Sequence, residues 1–179
     1  MFSYNRVFQE VHHVSGSLLG YGSNFKEAGN FQGVKQAHLG LQLTYSYDRK
    51  YMIDFSSAYV NSVKLAEDNR TGFSPSLGLA WVISEENFLS SSESIDYLKL
   101  RLSAGILNSD LPIGGFFYYD NQYTTSGSNS WFEGTRSRSG VVSSWSSNPD
   151  LGFVKRKEIN AGLEGLFFNR TLSIDGNMF

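Results

Sequence analysis

The sequence predicts an all-β chain laid out as an antiparallel meander of long strands, and three observations carry that prediction. Hydrophobicity alternates with period two over runs of about ten residues. The polar breaks between runs are short at one end of the strands and long at the other. Composition favours strands and turns: of 179 residues, 15% are aromatic, 18 are Gly and 18% are charged, against a usual charged share of roughly 25%.

The runs justify themselves in chain order. From Gln36 to Tyr47, Leu39, Leu41, Leu43, Tyr45 and Tyr47 alternate with His38, Gly40, Gln42, Thr44 and Ser46. After the polar break Asp48-Arg49-Lys50, Tyr51, Ile53 and Phe55 alternate with Asp54 and Ser56, so the two runs read as a hairpin. Lys64 to Gly72 is a polar loop; Leu77, Leu79 and Trp81 then alternate with Ser76, Gly78 and Ala80. A polar turn over 84–96 precedes Leu98, Leu100, Leu102, Ala104 and Ile106, which face away from Lys99, Arg101, Ser103 and Gly105. Residues 108–151 are rich in Gly, Ser, Asn and aromatic side chains and form a connection far longer than the usual four to six residues. Ile159, Ala161, Leu163 and Phe167 make a further strand; after the turn 168–170, Leu172, Ile174 and Met178 oppose Ser173, Asp175 and Asn177. The first 35 residues are less regular, and read as a weak strand over Phe2 to His12 followed by a Gly-rich loop.

Size and charge narrow the function classes. The length suits one domain. A net charge of −2 with no basic block gives no electrostatic case for a nucleic-acid partner. The chain has no cysteine, so disulfides and thiolate metal sites are excluded. The opening MFSYNRVFQE is not a secretory leader, and no run of about 18 apolar residues reads as a transmembrane helix. His12, His13 and His38 have no partner at metal-ligand spacing, and no serine sits in G-x-S-x-G. Gly20-Tyr21-Gly22 lacks the third glycine and the helix of a dinucleotide loop. No cofactor and no catalytic residue are expected. Glu85-Glu86 read as solvated turn residues, and the Asn-Arg-Thr triplets at 69 and 169 as chance matches to a glycosylation pattern.

Long strands, short turns at one end and long loops at the other describe the wall of an outer-membrane β-barrel. Tyr45, Tyr47, Tyr51, Trp81 and Phe167 cluster at the short-turn end, where such a barrel carries an aromatic girdle. The leucines would then face lipid, with Leu100 near the bilayer midplane, while Asp54, Lys99, Arg101, Glu164 and Asp175 would line a hydrated lumen. The alternation fits equally a soluble β-sandwich that binds carbohydrate and carries a charged outer face.

Three ordered stretches resemble the barrel of the SusC/RagA family of TonB-linked outer-membrane proteins. The family pattern runs roughly F-P-S-x-x-L-A-W-x-I-S-E-E, then L-K-L-R-x-S-x-G, then N-P-D-L and a strand ending F-F-N-x-R-L. In this chain Pro75, Ser76, Leu79 to Trp81 and Ile83 to Glu86 match the first block. Leu98 to Arg101, Ser103 and Gly105 match the second, and Asn148 to Leu151, Gly162, Leu163 and Phe167 to Arg170 the third. The likeness covers most of the chain from about Gln36 onward. Departures fall at Gly105 to Asp110 and at Phe153-Val154, loop and rim positions that bear on the ligand rather than on the fold.

The resemblance implies that residues 1–179 are one partial β-barrel domain of a transporter of about 22 strands. The signal peptide, plug domain and remaining strands would lie outside these residues. It further implies uptake of oligosaccharides or peptides through the outer membrane of a Gram-negative bacterium, without enzymatic chemistry. A SusD-like lipoprotein would cap the mouth, and a TonB complex would act on parts absent here. Phe116, Tyr118, Tyr119, Tyr123, Trp131 and Trp145, flat rings among Asn, Ser and Asp in the long loop, are the candidates for contact with ligand or partner.

Overall fold

A computed structural model describes residues 1–26, 34–116, 118–130 and 137–179, with backbone alone for Val34, 126–130, 137–139 and Trp145. Ten strands follow in order: β1 (Phe2–Phe8), β2 (His12–Phe25), β3 (Val34–Tyr47), β4 (Tyr51–Asn61), β5 (Thr71–Val82), β6 (Ile95–Ser109), β7 (Gln122–Ser130), β8 (Ser137–Trp145), β9 (Val154–Phe167) and β10 (Leu172–Met178). Eight of them form one sheet in the order β1-β2-β3-β4-β5-β6-β9-β10, and β7-β8 is a separate hairpin. Neighbours in the large sheet are antiparallel throughout.

Register decides which residues share a face, since directly opposed residues point the same way. One face carries the row Leu43, Phe55, Leu77 and Ala104, each opposite the next. Two residues along lie Tyr45, Ile53, Leu79 and Leu102. This apolar face is uncovered: Leu77 is 45% exposed, and Leu43, Leu79 and Leu102 are similar. A soluble sandwich buries such a face under a second sheet. Among the described residues no second sheet lies on it, and the sandwich reading is thereby corrected.

The three short turns lie at one end of the large sheet. Asp48 and Arg49 both have positive φ, as do Gln9 and Glu10, and Phe168 to Arg170. The backbone bond from Lys50 N to Tyr47 O closes the 48–49 turn at 2.9 Å. Two successive left-handed residues give the turn a twist that matches right-twisted strands. None of these positions holds glycine, so the tight connection is formed at a modest backbone cost.

Two expectations need correction. The Gly-rich loop after His12 is a 14-residue strand, β2, paired along its whole length with β3. Its apolar-face positions include Gly16, Gly20 and Gly22, so period two left no hydropathy contrast there. Leu43 fills the space instead: a Cβ on Gly16 would lie 3.1 Å from Leu43 Cδ2. The connection 108–151 is likewise not all loop, because it carries the β7-β8 hairpin. It departs after Ser109 and returns at Val154, and those two residues are directly opposed in the β6-β9 ladder.

Candidate functional site

The face opposite the leucines is small and polar, and its charges gather on β6, β9 and β10. Lys99 stands opposite Glu164, which stands opposite Asp175. Arg101 pairs with Glu164 at 2.7 Å and with Asp175 at 3.3 Å, and donates from Nη2 to Asn177 Oδ1 at 2.9 Å. Lys99 Nζ lies 3.9 Å from Glu164. Asn177 in turn donates to Asp175 Oδ1 at 2.8 Å. Two cations therefore face two carboxylates in one connected network on a half-exposed surface.

Gly162 makes that network possible. It lies opposite Arg101 on β9, and a Cβ there would come within 2.5 Å of Arg101 Nε and 2.7 Å of Asn177 Oδ1. Without a side chain at 162, the guanidinium lies flat across β9 and reaches β10. Asp54 shares the face but not the cluster, and accepts a hydrogen bond from Thr44 Oγ1 at 3.0 Å. Between them runs a groove of about 390 Å³ lined by Met52, Asp54, Arg101, Ser103, Asn160 and Asn177. Of the five charged residues expected on this face, four meet and Asp54 stands apart. Asn177 and Gly162 were missed as parts of the site; a small residue opposite a long cation was the available signal.

At the short-turn end the aromatic side chains form an ordered row. Tyr47 stacks on Tyr51 with ring centroids 6.3 Å apart, and Tyr51 on Trp81 at 6.4 Å. Leu100 is opposite Trp81, so it belongs to this row and not to the middle of the apolar band; the midplane expectation for Leu100 passes to Leu77. Glu86 is not simply solvated, because its Oε1 accepts from Tyr51 Oη at 2.5 Å and Trp81 Nε1 at 3.0 Å. Those donors, Tyr51 first and then Trp81, together with the charge of Lys50, hold its carboxyl below the ordinary glutamate range. At the other end Tyr59 is opposite Phe73, eight residues from Tyr51 and Trp81 respectively. Eight residues span about 27 Å along a strand, or about 21 Å of height at a tilt of ~40°, close to the ~25 Å apolar band of a barrel.

The loop end holds a small packed cluster. Leu65 is fully buried and Ile113 is 7% exposed. Ser62 donates to Asp110 at 2.5 Å, Lys64 Nζ reaches the Ile113 carbonyl at 2.9 Å, and Arg70 Nε reaches the Leu65 carbonyl at 3.0 Å. Asn69 donates from Nδ2 to the Pro149 carbonyl at 3.1 Å, which ties this rim to the return of the long connection. Beside it, Pro75 has no N–H to give to a ladder, and the β5-β6 pairing starts only at Ser76. Asn108 closes the gap, donating from Nδ2 to Phe73 O at 2.6 Å and from its backbone N to Ser74 Oγ at 3.0 Å.

The loop aromatics are placed unevenly. Lys64 Nζ lies 6.0 Å from the Phe116 ring centre, and the Gln122 side chain donates to the Phe116 carbonyl at 3.3 Å. Tyr118 and Tyr119 lie in a turn, and Tyr123 is exposed on β7. Trp131 lies outside the described residues, as does the side chain of Trp145. Among the described residues no three His, Asp or Glu side chains converge on a metal position.

Comparison with known proteins places this geometry. No protein-family model matches the chain. It is similar to the TonB-dependent receptor SusC of Bacteroides thetaiotaomicron, 32% identical over 142 residues covering 70% of this chain and 14% of that protein. It is also similar to the TonB-dependent receptor P39 of Formosa agariphila, 27% identical over an alignment covering 97% of this chain and 19% of that protein. The fold matches a structure of the RagAB peptide transporter with a TM-score of 0.73, over 98% of this chain and 22% of that one, at 21% identity. The chain thus spans less than a fifth of the length of these curated relatives, which are named as receptors and not as enzymes. With the ordered sequence blocks, the uncovered leucine face and the antiparallel meander all agreeing, the chain belongs to the SusC/RagA family of TonB-dependent receptors and is a stretch of its β-barrel.

Proposed function

We propose that residues 1–179 are a section of the wall of a SusC-like transporter in the outer membrane of a Gram-negative bacterium, which imports oligosaccharides or peptides. The observation that carries this reading is one sheet of long strands whose apolar face is bare between two aromatic rows. Such a surface is stable only against hydrocarbon. The polar face then meets the hydrated lumen, where Asp54, Lys99, Arg101, Glu164 and Asp175 offer a wall of mixed charge. The short turns lie in the periplasm. The rim and the long connection face outward, where Phe116, Tyr118, Tyr119, Tyr123, Trp131 and Trp145 would meet the ligand or a SusD-like lipoprotein cap. TonB would act through parts of the protein beyond this stretch, and the barrel would make and break no covalent bond.

Single cysteines in the full-length protein test the orientation. Cysteine at Leu77, labelled with a fluorophore and reconstituted in liposomes, is expected to be quenched by spin-labelled lipid, whereas cysteine at Ser103 is expected to react with a water-soluble maleimide and escape quenching. The reverse pattern would reject the assignment of faces. Growth on single oligosaccharide or peptide sources, with and without the gene, then identifies the cargo class.

A further inference from the structure

Between the two aromatic rows the apolar face carries charge at two described positions, and both are cations. Arg6 lies on β1 opposite Val14, which is opposite Tyr45, so it stands one residue pair inside the short-turn row. Lys157 lies opposite Ile106, one pair inside the loop-end row. No acid stands on this face between the rows among the described residues. Arg6 forms no ion pair there either; its guanidinium carbon lies 4.8 Å over the Phe8 ring. On the same face, diagonal to Arg6, His12 shares a 2.8 Å hydrogen bond between Nδ1 and the Tyr45 hydroxyl and packs against Tyr47 at 5.1 Å. The turn-end patch therefore combines an exposed cation, a phenol and an imidazole on a surface that is otherwise apolar.

A cation there needs an anion within reach. One residue pair is about 7 Å along the strand, the length an Arg side chain covers when it snorkels to an interface. Lipid phosphates lie at that level, and the flat guanidinium fork matches two phosphate oxygens. We propose that Arg6, flanked by His12 and Tyr45, is a binding site for the phosphate of a phospholipid in the periplasmic leaflet. The site holds one headgroup against β1 and fixes the depth at which that edge of the sheet sits. This rests on the lipid-facing reading of the leucine face.

The test uses the full-length protein in nanodiscs made from equal parts of phosphatidylglycerol and a phosphate-free galactosyl diacylglycerol with the same acyl chains. Lipid retained on release is read by native mass spectrometry. The wild type is expected to keep phosphatidylglycerol in preference, Arg6→Leu to lose that preference by roughly fivefold, the effect of one cation near a charged surface, and Arg6→Lys to fall between the two, since an ammonium keeps the charge but not the two-pronged contact. An inserted wild type without preference, or an Arg6→Leu variant that retains as much phosphatidylglycerol as wild type, overturns the site; the first result would place an acid from a neighbouring strand against Arg6. A protein that does not enter the nanodisc at all rejects the membrane reading itself, so the two failures are distinct.

Discussion

The wall and the rim of this chain are stabilised in opposite ways. In the wall, hydrogen-bonded ladders run through eight strands while the leucines lie bare, so backbone pairing and the surrounding solvent hold the structure. At the rim, Leu65 and Ile113 are buried in the manner of a small soluble protein, and Ser62, Lys64, Arg70 and Asp110 satisfy its polar groups. The difference teaches that "hydrophobic inside" depends on which medium surrounds each part. In the orientation proposed above, the wall inverts the rule because it faces hydrocarbon, and the rim obeys it because it faces water.

The sharpest way to break the comparison is a charge on the apolar face. Leu77→Arg, midway between the aromatic rows, should cost about 2–4 kcal/mol, whereas Leu100→Arg, in the turn-end row, should cost about 0–1 kcal/mol. Reversible unfolding in lipid vesicles measures both, and equal costs would remove the depth assignment. Leu65→Ala should cost about 2 kcal/mol, the low end for a buried leucine, because its cluster is small. That loss should be local: hydrogen exchange should rise over 62–70 and 110–113 while β3 and β4 keep their protection.

Within the wall, Gly162→Ala sets a methyl against Arg101 and should cost about 1–2 kcal/mol by overpacking. Its signature is a freed Arg101, read as faster reaction of the guanidinium with phenylglyoxal. The smallest effect is expected from Glu86→Gln, which weakens the bonds from Tyr51 and Trp81 without removing the turn. Because Glu86 titrates lower when folded than unfolded, its contribution is complete above the unfolded value near pH 4.3 and is lost as pH falls through the depressed folded value. Trp81 emission followed from pH 6 to pH 2 should show a transition in the wild type that Glu86→Gln lacks.

Most of the wall was legible in the sequence because period two places the apolar residues of each strand on one face of the sheet. The alternation of Leu39 to Tyr47 and of Leu98 to Ile106 gave strands β3 and β6, with β6 longer by a few residues at each end. β2 was hidden because glycines occupy its apolar face, and β7-β8 because Ser and Gly there carry no hydropathy contrast. The charged cluster was legible residue by residue but not as a network, since Arg101 reaches β10 only across Gly162. The rim was not legible: Leu65 sits in a polar stretch, and nothing local announces that its neighbour Lys64 holds the carbonyl of Ile113, 49 positions further on.

The β6-β9 ladder has a consequence for how such chains diversify. Ser109 and Val154 are opposed, so the outgrowth between them leaves and re-enters the sheet at a single rung. Its length and sequence do not enter the register of any wall strand, and loop closure grows only slowly with length. That rung is a splice point: a different outgrowth can be exchanged there while the lattice of strands beneath it is inherited unchanged.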